Sequence, residues 1–152
     1  MNRHFIPLML GFIFSLTFAL DAWAETAAQA ARKWGLIGSW AADCSIPLDN
    51  AHPLFSYEVT ADDRMMLRRD FGTRKDEQEV SSAEIAGDGL LILRILFPAF
   101  KQIRENGIVM LTDGSIRAIF SRNDKGQYSI RDGRFVANGN PTVALHKCVP
   151  RA

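Results

Sequence analysis

The sequence predicts an all-β fold, an antiparallel meander closed into a barrel and preceded by a short helix, and three observations carry that reading. Glycine turn signals recur at short intervals after Gly38, among them Gly87-Asp88-Gly89, Asn106-Gly107, Asp113-Gly114, Asp124-Lys125-Gly126, Asp132-Gly133 and Asn138-Gly139. Such pairs supply the positive φ of tight hairpins. Between them residues alternate, Phe55, Tyr57 and Val59 against Ser56, Glu58 and Thr60, as a half-buried strand requires. Finally, Cys44 and Cys148 stand at opposite ends of this region. A bridge between them brings the first and last strands together, and a meander whose ends meet is a barrel. A two-sheet β-sandwich with stapled terminal strands is the alternative, since periodicity leaves sheet splitting open.

The elements follow in order. Arg3 precedes an apolar run over residues 5–20 and then Ala22-Trp23-Ala24, the small-x-small pattern of a signal peptidase site, so residues 1–24 read as a signal peptide. The run contains Pro7 and Gly11 and is shorter than the roughly 20 residues that a spanning helix needs. No membrane span is expected in the mature chain, and the location is periplasmic or secreted. Residues 25–35, rich in Ala, suit a lead-in or short helix. Residues 36–152 form a single β domain, with strands expected at 39–44, 54–60, 64–71, 77–86, 90–97, 100–105, 108–112, 115–122, 127–131, 134–137 and 142–148. An oxidising compartment favours a Cys44 to Cys148 disulfide, and closing a loop of about 105 residues contributes roughly 4 to 5 kcal/mol by chain entropy.

Charge and motifs exclude several functions. The formal net charge is +1, and signal-peptide removal takes one base, Arg3, and one acid, Asp21. That balance gives no general field for polyanions, and nucleic acid is not an expected partner. Beyond residue 24 the only histidines are His52 and His146, too few and too scattered for a zinc spacing, so no metal is expected. Gly38-Ser39-Trp40 is not the GxSxG turn of a hydrolase, and no GxGxxG, phosphate-binding loop or CxxC is present. No cofactor and no enzymatic activity are expected.

The segment Leu90-Leu91-Ile92-Leu93-Arg94-Ile95-Leu96-Phe97 is apolar on both faces with a single charge. A cover from residues 26–34 over its outer face, a second subunit or a sandwich interior would each account for this. Arg94 shares a side with Leu90, Ile92 and Leu96. If that side is interior, the guanidinium needs a buried partner; if exterior, it reaches water past its own stem. Arg68, Arg104 and Arg117 also fall within predicted strands, where one or two interior arginines could clamp an anionic head group.

Gly38-Ser39-Trp40 at the first strand resembles the lipocalin and wider calycin group, in which a Gly-x-Trp element closes one end of the barrel under a basic residue from a late strand. The resemblance matches Gly38 and Trp40, with Arg117, Arg131 or Lys147 as the basic partner. Thr112-Asp113-Gly114 partly echoes the group's second element, Thr-Asp-Tyr. The chain also resembles a set of short exported proteins from alphaproteobacteria that pair Leu-Ile-Gly-x-Trp-x-x-x-Cys with Arg-Asp-Gly, Asn-Gly and a final Cys, here residues 36–44, 131–133, 138–139 and Cys148. That likeness implies the disulfide and one domain, and brings no function with it.

The expected function is therefore a non-enzymatic cell-envelope binding protein with a calycin-like barrel. It would hold a small apolar or amphipathic molecule between Trp40, Tyr57, Leu93, Ile95 and Phe97, with Arg94 or Arg117 as the charged contact. The alternative is a protein-interaction module, an inhibitor or accessory subunit of an envelope enzyme, touching its partner through residues 45–53 or an apolar strand. A cavity of roughly 300 Å³ or more favours the ligand and a solid interior favours the module.

Overall fold

The computed structural model describes residues 25–149, so the expected signal peptide, residues 1–24, and residues 150–152 lie outside the described residues. A helix, α1 (Ala27–Trp34), is followed by β1 (Gly38–Ala41), β2 (Leu54–Val59), β3 (Met65–Asp70), β4 (Lys75–Ile85), β5 (Leu91–Phe97), a short 3-10 turn (Pro98–Phe100), β6 (Gln102–Met110), β7 (Ile116–Asn123), β8 (Tyr128–Arg131), β9 (Arg134–Phe135) and β10 (His146–Cys148). The strands form one ten-stranded sheet in the order β10-β1-β2-β3-β4-β5-β6-β7-β8-β9, every neighbouring pair antiparallel. The all-β meander is thus present, and as one sheet it is not a sandwich.

The sheet is not closed into a barrel, which corrects the expected closure. The terminal strand expected over 142–148 pairs with β1 only from His146 to Cys148. Its first half reaches the opposite side through isolated bridges alone, Leu145 with Ile116 and Pro141 with Arg134. Local chemistry prevents a continuous ladder there. Pro141 has no N–H to donate. The Thr142 backbone N–H goes to the Gly133 carbonyl at 2.8 Å, its hydroxyl lies 2.7 Å from the Ala118 carbonyl, and its own carbonyl accepts from Arg117 Nε at 2.9 Å. Residues 141–145 are therefore a strap across the gap.

A second difference lies at Asn106-Gly107, which is not a turn. The two strands expected around it are one strand, β6, in which Gly107 pairs with Ile92 on one side and Phe120 on the other. Glycine is needed here for close approach: a Cβ would stand 2.1 Å from Phe120 Cε1, so the Phe120 ring fills the space the missing side chain leaves. The β5 to β6 reversal occurs instead at residues 98–101, where Lys101 takes a left-handed φ of 49°.

The inner face carries the core. Leu91, Leu93, Ile95 and Phe97 of β5 are buried with Trp40, Tyr57, Met65, Leu67 and Val80, while Arg94 is exposed. Helix α1 joins this inner cluster through Ala31, so it does not cover the outer face of β5, where Ile92 and Leu96 stay half-buried. A capping box of Thr26 and Gln29 starts the helix and Gly35, at φ 90°, ends it. Trp34 Nε1 then donates to the Gly89 carbonyl at 2.7 Å, tying the helix end to the β4–β5 turn.

The Cys44–Cys148 disulfide is formed, with Cα atoms 5.5 Å apart and a sequence separation of 104. It fixes β10 to the end of β1 and so holds the strap in place. Replacing both cysteines by alanine is expected to lower unfolding stability by about 2 to 4 kcal/mol while the far-ultraviolet circular dichroism stays that of a β protein, because the hairpins from β2 to β9 form locally. Urea unfolding of the two proteins measures this. An unchanged midpoint would mean that backbone pairing alone holds the ends.

Candidate ligand cavity

The curled inner face lines an open-sided cavity of about 680 Å³. Strand alternation puts every second residue into it: Phe55 and Tyr57 from β2, Leu67 and Arg69 from β3, and Gln102, Arg104, Asn106 and Ile108 from β6. Ile116 and Ala118 of β7 and Leu145 of the strap complete the apolar wall. Asn50 and Ala51, from the loop singled out as a contact surface, stand at the mouth with Phe100 and Val143, whose exposures are 69% and 57%.

Two arginines line the space, and their surroundings differ. Arg69 makes two 2.7 Å bonds to Asp76, through Nε to Oδ1 and Nη2 to Oδ2, and its guanidinium lies 5.3 Å from the Phe97 ring and 5.6 Å from that of Phe71. Asp76 also accepts from Gln78 Nε2 at 3.0 Å. Burial opposes ionisation of Asp76, and the hydrogen bonds from Arg69 and Gln78 outweigh it, so the carboxyl titrates below its ordinary range. The Arg69 charge is thereby paired, and Asp76 Oδ2 also lies 3.6 Å from Nη1 of the exposed Arg74. Burial also pushes the Tyr57 phenol well above its usual range, against the nearby Arg69 charge, and keeps it protonated.

Arg104 has no such partner. Its Nε donates to Ser121 Oγ at 3.3 Å and its Nη2 to Ser129 Oγ. Among the described residues it makes no ion pair with a carboxylate.

Of the residues expected to bind ligand, Tyr57 and Phe97 line the cavity. Leu93 and Ile95 belong to the core packed beside it, not to its wall. Trp40, 1% exposed, sits in a separate plug: its Nε1 donates to the Leu36 carbonyl at 2.8 Å, and Lys147 Nζ lies 5.3 Å from its ring while donating to the Gly35 carbonyl at 3.2 Å. Lys147, of the three basic candidates, is therefore the one across the indole. Gly38 has φ of 133°, and a Cβ there would meet Lys147 Cε at 2.7 Å. Arg94 points outward, opposite Glu105 in the register, beside the Glu105–Arg122 pair in an outer hollow of about 280 Å³. Arg117 is held by the strap carbonyl of Thr142 and is not on the cavity wall.

Sequence reasoning missed Arg69, Gln102 and Asn106. Reading Asn106-Gly107 as a turn cut β6 in two and hid the 102, 104, 106, 108 alternation that aims these residues at one space.

Asp76→Asn is expected to cost about 1 to 2 kcal/mol at pH 7, since it weakens a charge-assisted, partly screened pair. The folded-state pKa of Asp76 lies below its ordinary value of 3.8, so its contribution is complete above that value and is lost as pH falls through the lower, folded-state one. The gap between wild type and variant in urea unfolding should therefore be full at pH 7 and shrink below pH of about 3.8. A constant gap would show that the carboxylate charge is not its source. Compared with known protein families, with curated proteins and with solved structures, this chain matches none.

Proposed function

We propose that this protein is a non-enzymatic binding protein of the cell envelope that holds a small apolar or amphipathic molecule in the cavity between the curled sheet and the strap. The observation that carries the reading is the cavity itself. At about 680 Å³ it falls within the few hundred to one thousand Å³ of small-molecule sites and exceeds the volume that separates a ligand pocket from packing defects. Its wall combines aromatic and aliphatic side chains with a few convergent polar groups, the composition such sites share. Burial of apolar ligand surface would supply most of the affinity.

Location in the periplasm or outside the cell is part of the proposal. The disulfide supports it, since such bonds persist in oxidising compartments, and so does the signal-peptide pattern of residues 1–24. Protein recovered from the periplasm should have the intact mass of a chain starting at Glu25; a mass that retains Met1 would refute export with cleavage.

The neutral fluorescent probe N-phenyl-1-naphthylamine tests the cavity. Wild-type protein is expected to bind it with a blue-shifted emission. Ala118→Trp, which places an indole in the cavity wall, should weaken binding about tenfold or more with the fold retained. No binding by wild type, or equal binding by the two proteins, would overturn the ligand reading. The exposed Phe100 and Val143 at the mouth would then favour the second reading, a module that docks an envelope protein through this rim.

A further inference from the structure

The cavity wall is electrostatically lopsided. Arg69 and Arg104 line it, and neither Asp nor Glu does. Arg69 is held in a two-bond pair with Asp76, which does not line the cavity. Arg104 keeps its whole charge, because its two partners are hydroxyls. The arrangement around those hydroxyls is built rather than incidental. The Ser129 hydroxyl lies within 3.5 Å of the Ser121 carbonyl, so its proton can be directed there and its lone pairs left for Arg104 Nη2. Ser121 Oγ accepts a hydrogen bond from the Nε–H. Two of the five guanidinium N–H groups are thus used to orient the plane, and three remain.

Position matters as much as charge. Arg104 lies between Gln102 and Asn106 on the inward side of β6, so two neutral amides flank the cation. From Ile108 onward the same side of β6 becomes apolar and continues into Ile116, opposite Phe55 and Tyr57. The cavity therefore has a polar, singly positive part and an apolar part along one strand.

We propose that the ligand is an amphiphile with a single carboxylate head, which pairs with the remaining N–H groups of Arg104 while its hydrocarbon tail lies along Ile108, Ile116, Phe55 and Tyr57. A partly dehydrated guanidinium binds a carboxylate more strongly than it binds water or a neutral head. One unneutralised charge matches a monoanion, whereas a dianionic phosphate would leave its second charge without a partner. This assignment rests on the cavity reading above and adds the chemistry of the occupant.

Displacement of bound N-phenyl-1-naphthylamine separates the two. Dodecanoate, dodecanol and dodecyltrimethylammonium share a tail and differ in the head. Wild type is expected to release the probe at about tenfold or more lower concentration of dodecanoate than of either other compound, in line with a charge-assisted bond. In Arg104→Met that preference should fall to within about twofold once each displacement is scaled by the variant's own probe affinity, because methionine replaces the stem and not the charge. Arg104→Gln, a polar replacement, is expected to lose the preference in the same way and serves if the methionine variant does not fold. A neutral head bound as well as the carboxylate by wild type, or a preference that survives in the folded variant, would overturn the head-group assignment. Failure of wild type to bind the probe at all would instead remove the cavity reading beneath it.

Discussion

Ten strands with one apolar side can bury that side only by curling around it, and this need governs the rest of the architecture. Each of β2 to β7 contributes inward residues to one space, and α1 fills an end of it through Ala31. The sheet bends at three bulges, one of them between β7 and β8, where Ser121 pairs with Ile130 and Arg122 with Tyr128, leaving Ser129. Val80 pairs with Ile95 and Ser82 with Arg94, leaving Ser81 as an extra residue. Gly107 pairs with Phe120 and Ile108 with Ala118, leaving Ile119. Extra residues on one strand raise the local twist and bend the sheet toward the partner side. The Ile119 carbonyl is not wasted, since Gly133 N–H takes it at 2.8 Å and draws the β8–β9 hairpin in.

Curling brings the sheet's two sides near each other without a ladder between them. The strap spans that gap, with the disulfide and three β10 pairs at one end and single bridges at the other. Thr142, Val143 and Leu145 of the strap line the cavity on that side, and its polar lining includes Gln102, Arg104 and Asn106 of β6, Ser121 of β7 and Arg69 of β3.

Charge placement follows the same geometry. Outward arginines are paired across strands, Arg68 with Glu77 and Glu58, and Arg122 with Glu105, and such exposed pairs contribute little to stability. Inside, Arg69 and Asp76 face each other across β3 and β4, where partial burial makes the pair matter more. Arg104 faces Asn123 across β6 and β7, so no acid stands opposite it, and its charge is left for what occupies the cavity.

Much of this architecture was legible in the residues. Glycine turn pairs and period-two alternation place most strands within a few residues, and cysteine count with compartment reasoning identifies the disulfide, because these are local or compositional signals. The Asn106-Gly107 pair misleads, since an Asn-Gly turn and a glycine that admits a facing ring look alike in sequence. Which side Arg94 takes, which base covers Trp40, and whether the sheet closes depend on register and bulges, and a bulge is a relation between two strands that neither strand's own pattern contains. The sequence by itself determined the antiparallel meander, its hairpins and the covalent tie, all set by neighbours in the chain. Only the tertiary structure decided that Arg104 rather than Arg94 enters the cavity, because a side chain's partners across a curled sheet are fixed by how the strands align and not by where the residue falls in its own strand.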